Sequence, residues 1–268
     1  MTKKRKTTVI RAIQYAVIAL VIVILALAGH WKDFASQFLD WHVMGQILPR
    51  LIRTGLVNTL LYTVSSFIFG LVIGLIVALM RMSEVRLYRW IATVYVELLR
   101  GLPTLLVLFL LTFAIPTLFG NDNKFFTNFY VLVILGLGSV AGAYMSETIR
   151  AGVQAVPKGQ LEAARTLGMP PGRAMSTIIL PQAFRIIIPP LTNEVILLIK
   201  DSSLVYAVGL GATQYDLTFL GQTAASGGIT GIDANASPLM LAGLAYLVIT
   251  LPLSQAVRAL ERNQAKRR

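Results

Sequence analysis

The sequence predicts an all-α integral membrane protein with about six transmembrane helices, and three observations support this fold class. Of the 268 residues, 56% are hydrophobic and 13% are charged, whereas about a quarter of the residues in a soluble domain are charged. The mean hydropathy is +0.70. The basic residues lie between long apolar runs, which is the arrangement of a protein that crosses the membrane several times.

Six apolar runs are about as long as a helix that crosses the bilayer, which needs about 20 mostly apolar residues. We predict spans over residues 12–29, 56–80, 91–118, 129–149, 186–209 and 238–257. The third and fifth runs also contain charged residues and prolines. Two glycine pairs at four-residue spacing, Gly70 with Gly74 and Gly138 with Gly142, predict close packing between helices.

The distribution of lysine and arginine predicts the orientation. Eighteen of these residues lie at the N-terminus, in residues 81–90 and 150–185, and in the C-terminal tail, and only four lie in the alternate segments. Because cytoplasmic segments carry the excess of positive charge, both termini are predicted to be cytoplasmic. Residues 210–237 contain no lysine or arginine and are rich in small polar residues, so we expect a solvated connector on the external side.

The spans divide the chain into three regions. Residues 1–50 hold a basic cytoplasmic tail, the first span and an external segment, residues 51–260 hold the main transmembrane domain with a cytoplasmic loop at 155–183, and residues 261–268 form a basic cytoplasmic tail. The first span also resembles a secretory signal peptide that ends in small residues. We favour an uncleaved anchor, because the apolar run follows an already apolar lead.

The composition excludes several classes of function. A net charge of +12 would suit a nucleic-acid-binding protein, but such proteins gather their charge on a soluble face, so no nucleic-acid partner is expected. Cysteine is absent, and His30 and His42 lie outside any metal-ligand spacing, so neither a metal site nor a cofactor is predicted. The chain lacks the phosphate-binding loop of ATPases, and we expect no catalytic residues in it.

Two clusters of polar and charged residues lie inside predicted spans, where a charge costs about 3 kcal/mol and marks a functional site by default. Glu97 and Arg100 are one helical turn apart, so they are placed to neutralise each other, and Gly101 and Pro103 then interrupt the helix. The second cluster follows two prolines that loosen the helix and consists of Asn193, Glu194, Lys200, Asp201, Ser202 and Ser203. Its two carboxylates are seven residues apart and share a helix face. Structural pairing of the charges is the alternative for both clusters.

The loop at 155–183 contains helix-forming patterns and helix-stop signals that a simple connector would not require. Apolar residues recur every three positions from Leu161 to Leu167, and Gly168 with the prolines that follow it stops this helix. Residues 172–180 form a second amphipathic piece, which ends at Pro181. We therefore predict two short helices at the cytoplasmic surface, which either dock on a partner or rest on lipid.

Several motifs resemble those of ATP-binding-cassette (ABC) importer permeases. The loop matches the EAA motif of that family at every defined position, namely Glu162-Ala163-Ala164, Gly168 and Ile178-x-Leu180-Pro181. Three further motifs resemble the branch that takes up polar amino acids: Gly55-x-x-x-Thr59-Leu60, Glu97-x-x-Arg100-Gly101-x-Pro103, and Asn193-Glu194 followed by Lys200-Asp201-Ser202-Ser203-Leu204. The resemblance covers about residues 50–260. The chain departs from this branch at Leu102 and Ser202, where Thr is usual, and in having a span before the usual five-span core.

The resemblance implies a membrane subunit of a larger machine in the cell membrane of a prokaryote. Such permeases pair with a second permease subunit, which is the same chain or a paralogue. They also work with a cytoplasmic ATPase dimer and an external solute-binding protein. The resemblance implies that the loop at 155–183 contains the coupling helix, the element that docks on the ATPase. Its coupling residues are then Glu162, Ala163, Ala164, Gly168, Ile178, Leu180 and Pro181.

A polar amino acid is the expected substrate. Its ammonium group needs acceptors such as Glu194, Asp201 and Asn193, and its carboxylate needs a donor such as Arg100. Glu97 and Lys200 are available for a charged substrate side chain, and Ser202 and Ser203 complete the predicted site. The alternatives are a standalone secondary transporter or channel, and a membrane scaffold with no transport role.

Overall fold

Helices make up nearly all of the regular structure in the computed structural model, which describes residues 3–120, 122–209 and 214–265. The α-helices are α1 (Lys3–Ala28), α2 (Trp31–Phe38), α3 (Trp41–Arg50), α4 (Val57–Met82), α5 (Arg86–Gly101), α6 (Thr104–Phe119), α7 (Phe129–Gln154), α8 (Lys158–Thr166), α9 (Pro171–Ala174), α10 (Leu180–Asp201), α11 (Leu217–Ala225) and α12 (Ser237–Ala265). Two π-helical segments, Leu51–Leu56 and Met175–Ile179, lead into α4 and α10, and the 3₁₀-helix Ser202–Val208 follows α10. No strand occurs in the described ranges.

Five helical stretches of the described residues are long and apolar enough to cross a membrane, and a sixth is possible if α5 and α6 form one bent span. The five stretches are Ile10–Ala28, Trp31–Met82, Phe129–Gln154, Pro171–Val208 and Ser237–Arg262. The prediction of an all-α membrane protein with about six spans is therefore confirmed.

The third predicted span, residues 91–118, is not one straight helix. It consists of α5 and α6, whose axes are bent by 112°. The break lies at Leu102, which has extended backbone angles, because the following proline disfavours the helical conformation of the residue before it. The predicted interruption after Gly101 is confirmed.

The prolines of the fifth predicted span, in contrast, do not interrupt the helix. Pro189 and Pro190 lie inside α10, which continues through them to Asp201. The predicted second piece of the polar loop, residues 172–180, does not stop at Pro181 either. Its π-helical part runs directly into α10, and Pro181 is the second residue of α10.

The predicted connector at 210–237 contains a buried helix. Residues 210–213 lie outside the described residues, but α11 follows them, and Leu217, Leu220 and Ala224 on it are at most 1% exposed. They pack with Ile47 and Leu51 and with residues of α12. The expectation of a plain solvated connector was wrong. The small and polar residues that suggested it are interspersed with apolar residues, which form one buried face of α11.

The centre of the molecule is the pair α4 and α7. A Cβ atom on Gly70 would lie 2.8 Å from the carbonyl oxygen of Gly138, and one on Gly74 would lie 2.9 Å from that of Gly142. The predicted close packing at these glycines is confirmed. The main core cluster joins this pair to α6, α10 and the 3₁₀-helix through Tyr62, Leu108, Val133, Leu137, Ala141, Met145, Leu198 and Val205.

Candidate substrate-binding and coupling sites

The first predicted cluster lies at the end of α5, with both side chains uncovered by the rest of the chain. Glu97 and Arg100 form no ion pair with each other, since the ion pairs of the described residues involve other side chains. Arg100 instead lies over the ring of Tyr144 on α7, with 5.3 Å between its Cζ and the ring centroid. An exposed ion pair and an exposed cation–π contact are each worth about 1 kcal/mol or less. The contact of Arg100 with Tyr144 can therefore replace an ion pair with Glu97. The expected neutralisation of Glu97 by Arg100 is therefore not seen.

The second cluster lies along the C-terminal half of α10. Because α10 is continuous, Glu194 and Asp201 are two turns apart on one face, as predicted, and both side chains are half-buried. Asn193 and Lys200 are exposed, and Ser203 is half-buried. Asn193 also lines a cleft of about 360 Å³ between α10 and α12, whose other residues are Pro190, Ile196, Ser254, Val257, Arg258 and Glu261.

Ser202 differs from the rest of the predicted site because its side chain is fully buried. Its hydroxyl donates a hydrogen bond of 2.7 Å to the carbonyl oxygen of Ile199, and it also interacts with Tyr246 of α12. Ser202 therefore faces the interior of this chain and holds the start of the 3₁₀-helix. The predicted direct contact of this side chain with a substrate does not fit its position.

The two clusters lie on helices that share two neighbours. Both α5 and α10 pack against α4 and α7, and α10 also packs against α12. No hydrogen bond or ion pair between the clusters is found in the described part of the chain. No group of three potential metal ligands comes together there either. Within the described residues, the two clusters are therefore not joined by a direct polar contact.

An ion-pair network that the sequence analysis missed joins α4 to α7. Glu147 of α7 pairs with Arg81 of α4 and with Arg150, one turn further along α7. All three side chains are less than one third exposed, and Arg150 also donates to Oε1 of Gln154. The signal was available, since Glu147 is an acidic residue inside a predicted span, three residues before an arginine.

A second missed group of contacts fastens the segment before α11 to α4. The Nδ2 of Asn58 donates to the carbonyl oxygen of Tyr215, and the Tyr62 hydroxyl donates to that of Gln214. The N–H of Leu217 donates to Oγ1 of Thr59 over 3.2 Å. A Cβ atom on Gly55 would lie 3.2 Å from Cα of Leu217. The Gly55-x-x-x-Thr59 motif therefore forms the surface on which the start of α11 packs.

Asp216 is the centre of this junction and is fully buried. As the N-cap of α11 it accepts hydrogen bonds from the N–H groups of Thr218 and Phe219, and Tyr246 donates its hydroxyl to Oδ2 over 3.1 Å. Burial raises the pKa of the Asp216 carboxyl, and these hydrogen bonds oppose the rise. Because Tyr246 also meets Ser202, the network connects α11 and α12 to the end of α10.

The polar loop forms a short helix with a defined end. α8 stops in a Schellman motif, in which Gly168 has φ +80° and donates to the carbonyl oxygen of Arg165. Met169 donates to the carbonyl oxygen of Ala164, which completes the motif. This motif satisfies the last carbonyl groups and turns the chain sharply.

The predicted coupling residues divide into two sets. Glu162, Ala163, Gly168 and Pro181 are exposed, whereas Ala164 is 2% exposed and Ile178 and Leu180 are half-buried. Leu167 is 83% exposed at the tip of the loop. Ala164 therefore fixes α8 to its own chain, and the outer set remains free for contact with another protein.

Comparison with known families identifies the family of this chain. The family described as "Binding-protein-dependent transport system inner membrane component" matches residues 70–266. The chain belongs to this family. It is therefore a multi-pass membrane component of a transport system, and the resemblance that the EAA motif indicated is confirmed.

Relatives and solved structures agree with the assignment. The L-cystine transport system permease protein TcyB of Bacillus subtilis (strain 168) is 37% identical over 224 residues, which are 84% of this chain and 91% of that protein. The arginine transport system permease protein ArtQ of the same organism is 39% identical over 211 residues, or 79% of this chain and 91% of that protein. A crystal structure of an amino acid ABC transporter with histidines superposes with a TM-score of 0.72 at 32% identity, covering 84% of this chain and 98% of the other.

Proposed function

We propose that the chain is the permease subunit of an ATP-driven importer of polar amino acids, in which the charged groups of α5 and α10 line the substrate path. The observation that carries this proposal is the position of Glu194 and Asp201, two half-buried carboxylates on one face of a membrane helix. Charges at this depth persist where they face a water-filled cavity or a bundle interior. The amino-acid transporters among the related proteins support the same conclusion.

A second permease subunit completes the path. Glu97, Arg100 and Lys200 are uncovered by the rest of the chain, and exposure of these charges to lipid would be costly. The helix faces that carry them therefore border a water-filled pathway between this chain and a second copy or a paralogue. The two polar clusters, which are separate in one chain, then approach each other across the pathway.

The groups match the charges of an amino acid. Glu194, Asp201 and Asn193 accept hydrogen bonds from the ammonium group, and Arg100 binds the carboxylate through two parallel hydrogen bonds. Glu97 and Lys200 remain for a charged substrate side chain. Ser202 holds the 3₁₀-helix in place, and Ser203 is available to the substrate.

ATP hydrolysis takes place on a separate ATPase dimer, which contacts α8. We place both termini and α8 in the cytoplasm, because the basic residues are concentrated in those segments. The exposed set around Glu162 and Ala163 then faces the ATPase, while the buried Ala164 transmits the movement to the spans. Closure of the ATPase subunits switches the path between inward-open and outward-open, and an external solute-binding protein supplies the substrate.

Uptake by the purified complex in vesicles tests this function. Glu194→Gln and Asp201→Asn each remove one charge-assisted hydrogen bond, so uptake of labelled amino acids should fall about 10-fold or more at limiting concentration. ATP hydrolysis without substrate should stay unchanged. Asp233→Asn, at an exposed position outside both clusters, is the matched control and should transport normally.

Two outcomes would contradict the proposal. Normal uptake by both variants would remove Glu194 and Asp201 from the substrate path. Uptake that follows an ion gradient and needs no ATP would instead favour a standalone secondary transporter.

A further inference from the structure

The short helix α2 has one aromatic face and one polar face. Trp31, Phe34 and Phe38 lie three and four residues apart and form a continuous strip, with ring centroids 6.2 Å apart for the first pair and 4.9 Å apart for the second. Ala35 completes this face, while Lys32, Asp33, Ser36 and Gln37 occupy the other. The strip is uncovered by the described parts of the chain, since its three aromatic side chains are 37–55% exposed.

The N-terminal end of α2 is attached to the end of a membrane span. Only Gly29 and His30 separate it from α1, whose residues Ile10–Ala28 are long and apolar enough to cross a membrane and are wholly unburied. The indole N–H of Trp31 donates to the carbonyl oxygen of Ala26 over 2.9 Å. Trp31 therefore lies at the level at which α1 leaves the bilayer.

The C-terminal end of α2 is attached to the start of another span. The hydroxyl of Ser237, the first residue of α12, donates to the carbonyl oxygen of Gln37 and accepts from the N–H of Asp40. Asn235 also donates to Oδ2 of Asp40 over 3.3 Å. Both ends of an eight-residue helix, about 12 Å long, are thus held at the ends of membrane spans.

We propose that α2 is an interfacial helix that lies on the membrane surface and inserts its aromatic face among the lipids. Tryptophan and other aromatic side chains favour the boundary between headgroups and acyl chains, and a helix of this pattern buries its apolar face about 5–10 Å into that boundary. The two attachments fix α2 at that height, and the polar face remains in water. This inference holds for any transported solute and does not depend on the proposed function.

Spin labels on adjacent residues test the position of α2. The chain contains no cysteine, so Ala35→Cys on the aromatic face and Ser36→Cys on the polar face each introduce one labelling site in the full-length chain. The labelled protein is placed in vesicles of phosphatidylcholine and phosphatidylglycerol, alone and with its partner subunits. Collisions with oxygen, which enters lipid, are compared with collisions with a water-soluble nickel chelate. The unsubstituted chain supplies the background.

The label at residue 35 should collide more with oxygen than with the chelate, and the label at residue 36 should show the reverse. The ratio of the two collision rates should differ about 3-fold or more between the sites. Equal access of the chelate to both labels would overturn the proposal by placing α2 in water. Protection of residue 35 from both reagents would overturn it by showing that a protein covers the face, and preference of both labels for oxygen would show that α2 continues the span.

Discussion

At the scale of single residues, position within the fold separates charges that lack a partner from charges that hold helices together. Glu194 and Asp201 are half-buried on α10, and no ion pair or side-chain hydrogen bond to either is found among the described residues. Glu147, by contrast, is paired on both sides by arginines. Unpaired carboxylates remain available to a cationic ligand, whereas the paired one fastens α4 to α7.

Replacement of Glu147 by Gln should destabilise the chain by about 2 kcal/mol, because two partly buried arginines lose their counter-charge. Thermal unfolding in detergent would measure the loss. Glu84→Gln, at an exposed position, should leave the unfolding temperature unchanged. Equal stability of the two variants would contradict the structural role of the network. In a second check, Arg81→Gln combined with Glu147→Gln should cost less than the sum of the single changes.

At the scale of elements, α8 is a short helix, and the Schellman motif at its end sets the direction in which the chain continues. Only glycine readily adopts the positive φ of residue 168, and the two hydrogen bonds of the Schellman motif form around that conformation. The tip with Leu167 exposed is the part that a partner protein would contact. A change at residue 168 is therefore expected to alter the proposed docking surface while leaving the spans intact.

Gly168→Val should uncouple ATP hydrolysis from uptake, because a β-branched residue is strongly disfavoured at positive φ. Gly168→Asn should retain most of the coupling, since asparagine tolerates this conformation. The ratio of substrate transported to ATP hydrolysed in vesicles is the measurement, and we expect a fall of about 5-fold or more for the valine variant alone. A normal ratio for Gly168→Val would show that the shape of the turn is irrelevant to coupling.

Much of the element structure was predictable from hydropathy and local signals. The spans are long apolar runs, and the stop at Gly168 follows from helix-end chemistry. Prolines were harder to interpret: Pro103 ends one helix and begins another, while Pro189 and Pro190 are accommodated inside α10. The sequence near a proline does not show whether neighbouring helices support the backbone.

Tertiary contacts account for what the sequence did not reveal. α11 was missed because it is only nine residues long, and its stability comes from packing on α12 and on the segment before α4. The contact of Arg100 with Tyr144 joins residues far apart in the chain. Likewise, the burial of Ser202 depends on the 3₁₀-helix and on Tyr246, which no local pattern indicates.

At the scale of the whole molecule, the chain has the surfaces of a subunit. Glu97 and Lys200, the tip of α8 at Leu167 and the apolar stretch Ile10–Ala28 are all left exposed by the described parts of the chain. α4 and α7 form a tightly packed centre around their glycines, and α10 connects the coupling loop to the polar cluster. α8 and α10 both pack on the π-helical segment Met175–Ile179, and we propose that movement of α8 reaches Glu194 and Asp201 of α10 by this route.

Cross-linking of α8 to the ATPase tests the central claim most directly. Ala163→Cys places a thiol on the exposed side of α8 in a chain without other cysteines, and a reagent that joins cysteine to lysine is applied to native membranes. We predict that the product contains this chain and an ATPase subunit, and that its yield changes when ATP is bound. Ser226→Cys, exposed after α11, should give no such product. Failure of the residue 163 variant to capture an ATPase, with labelling of the thiol confirmed, would contradict the account.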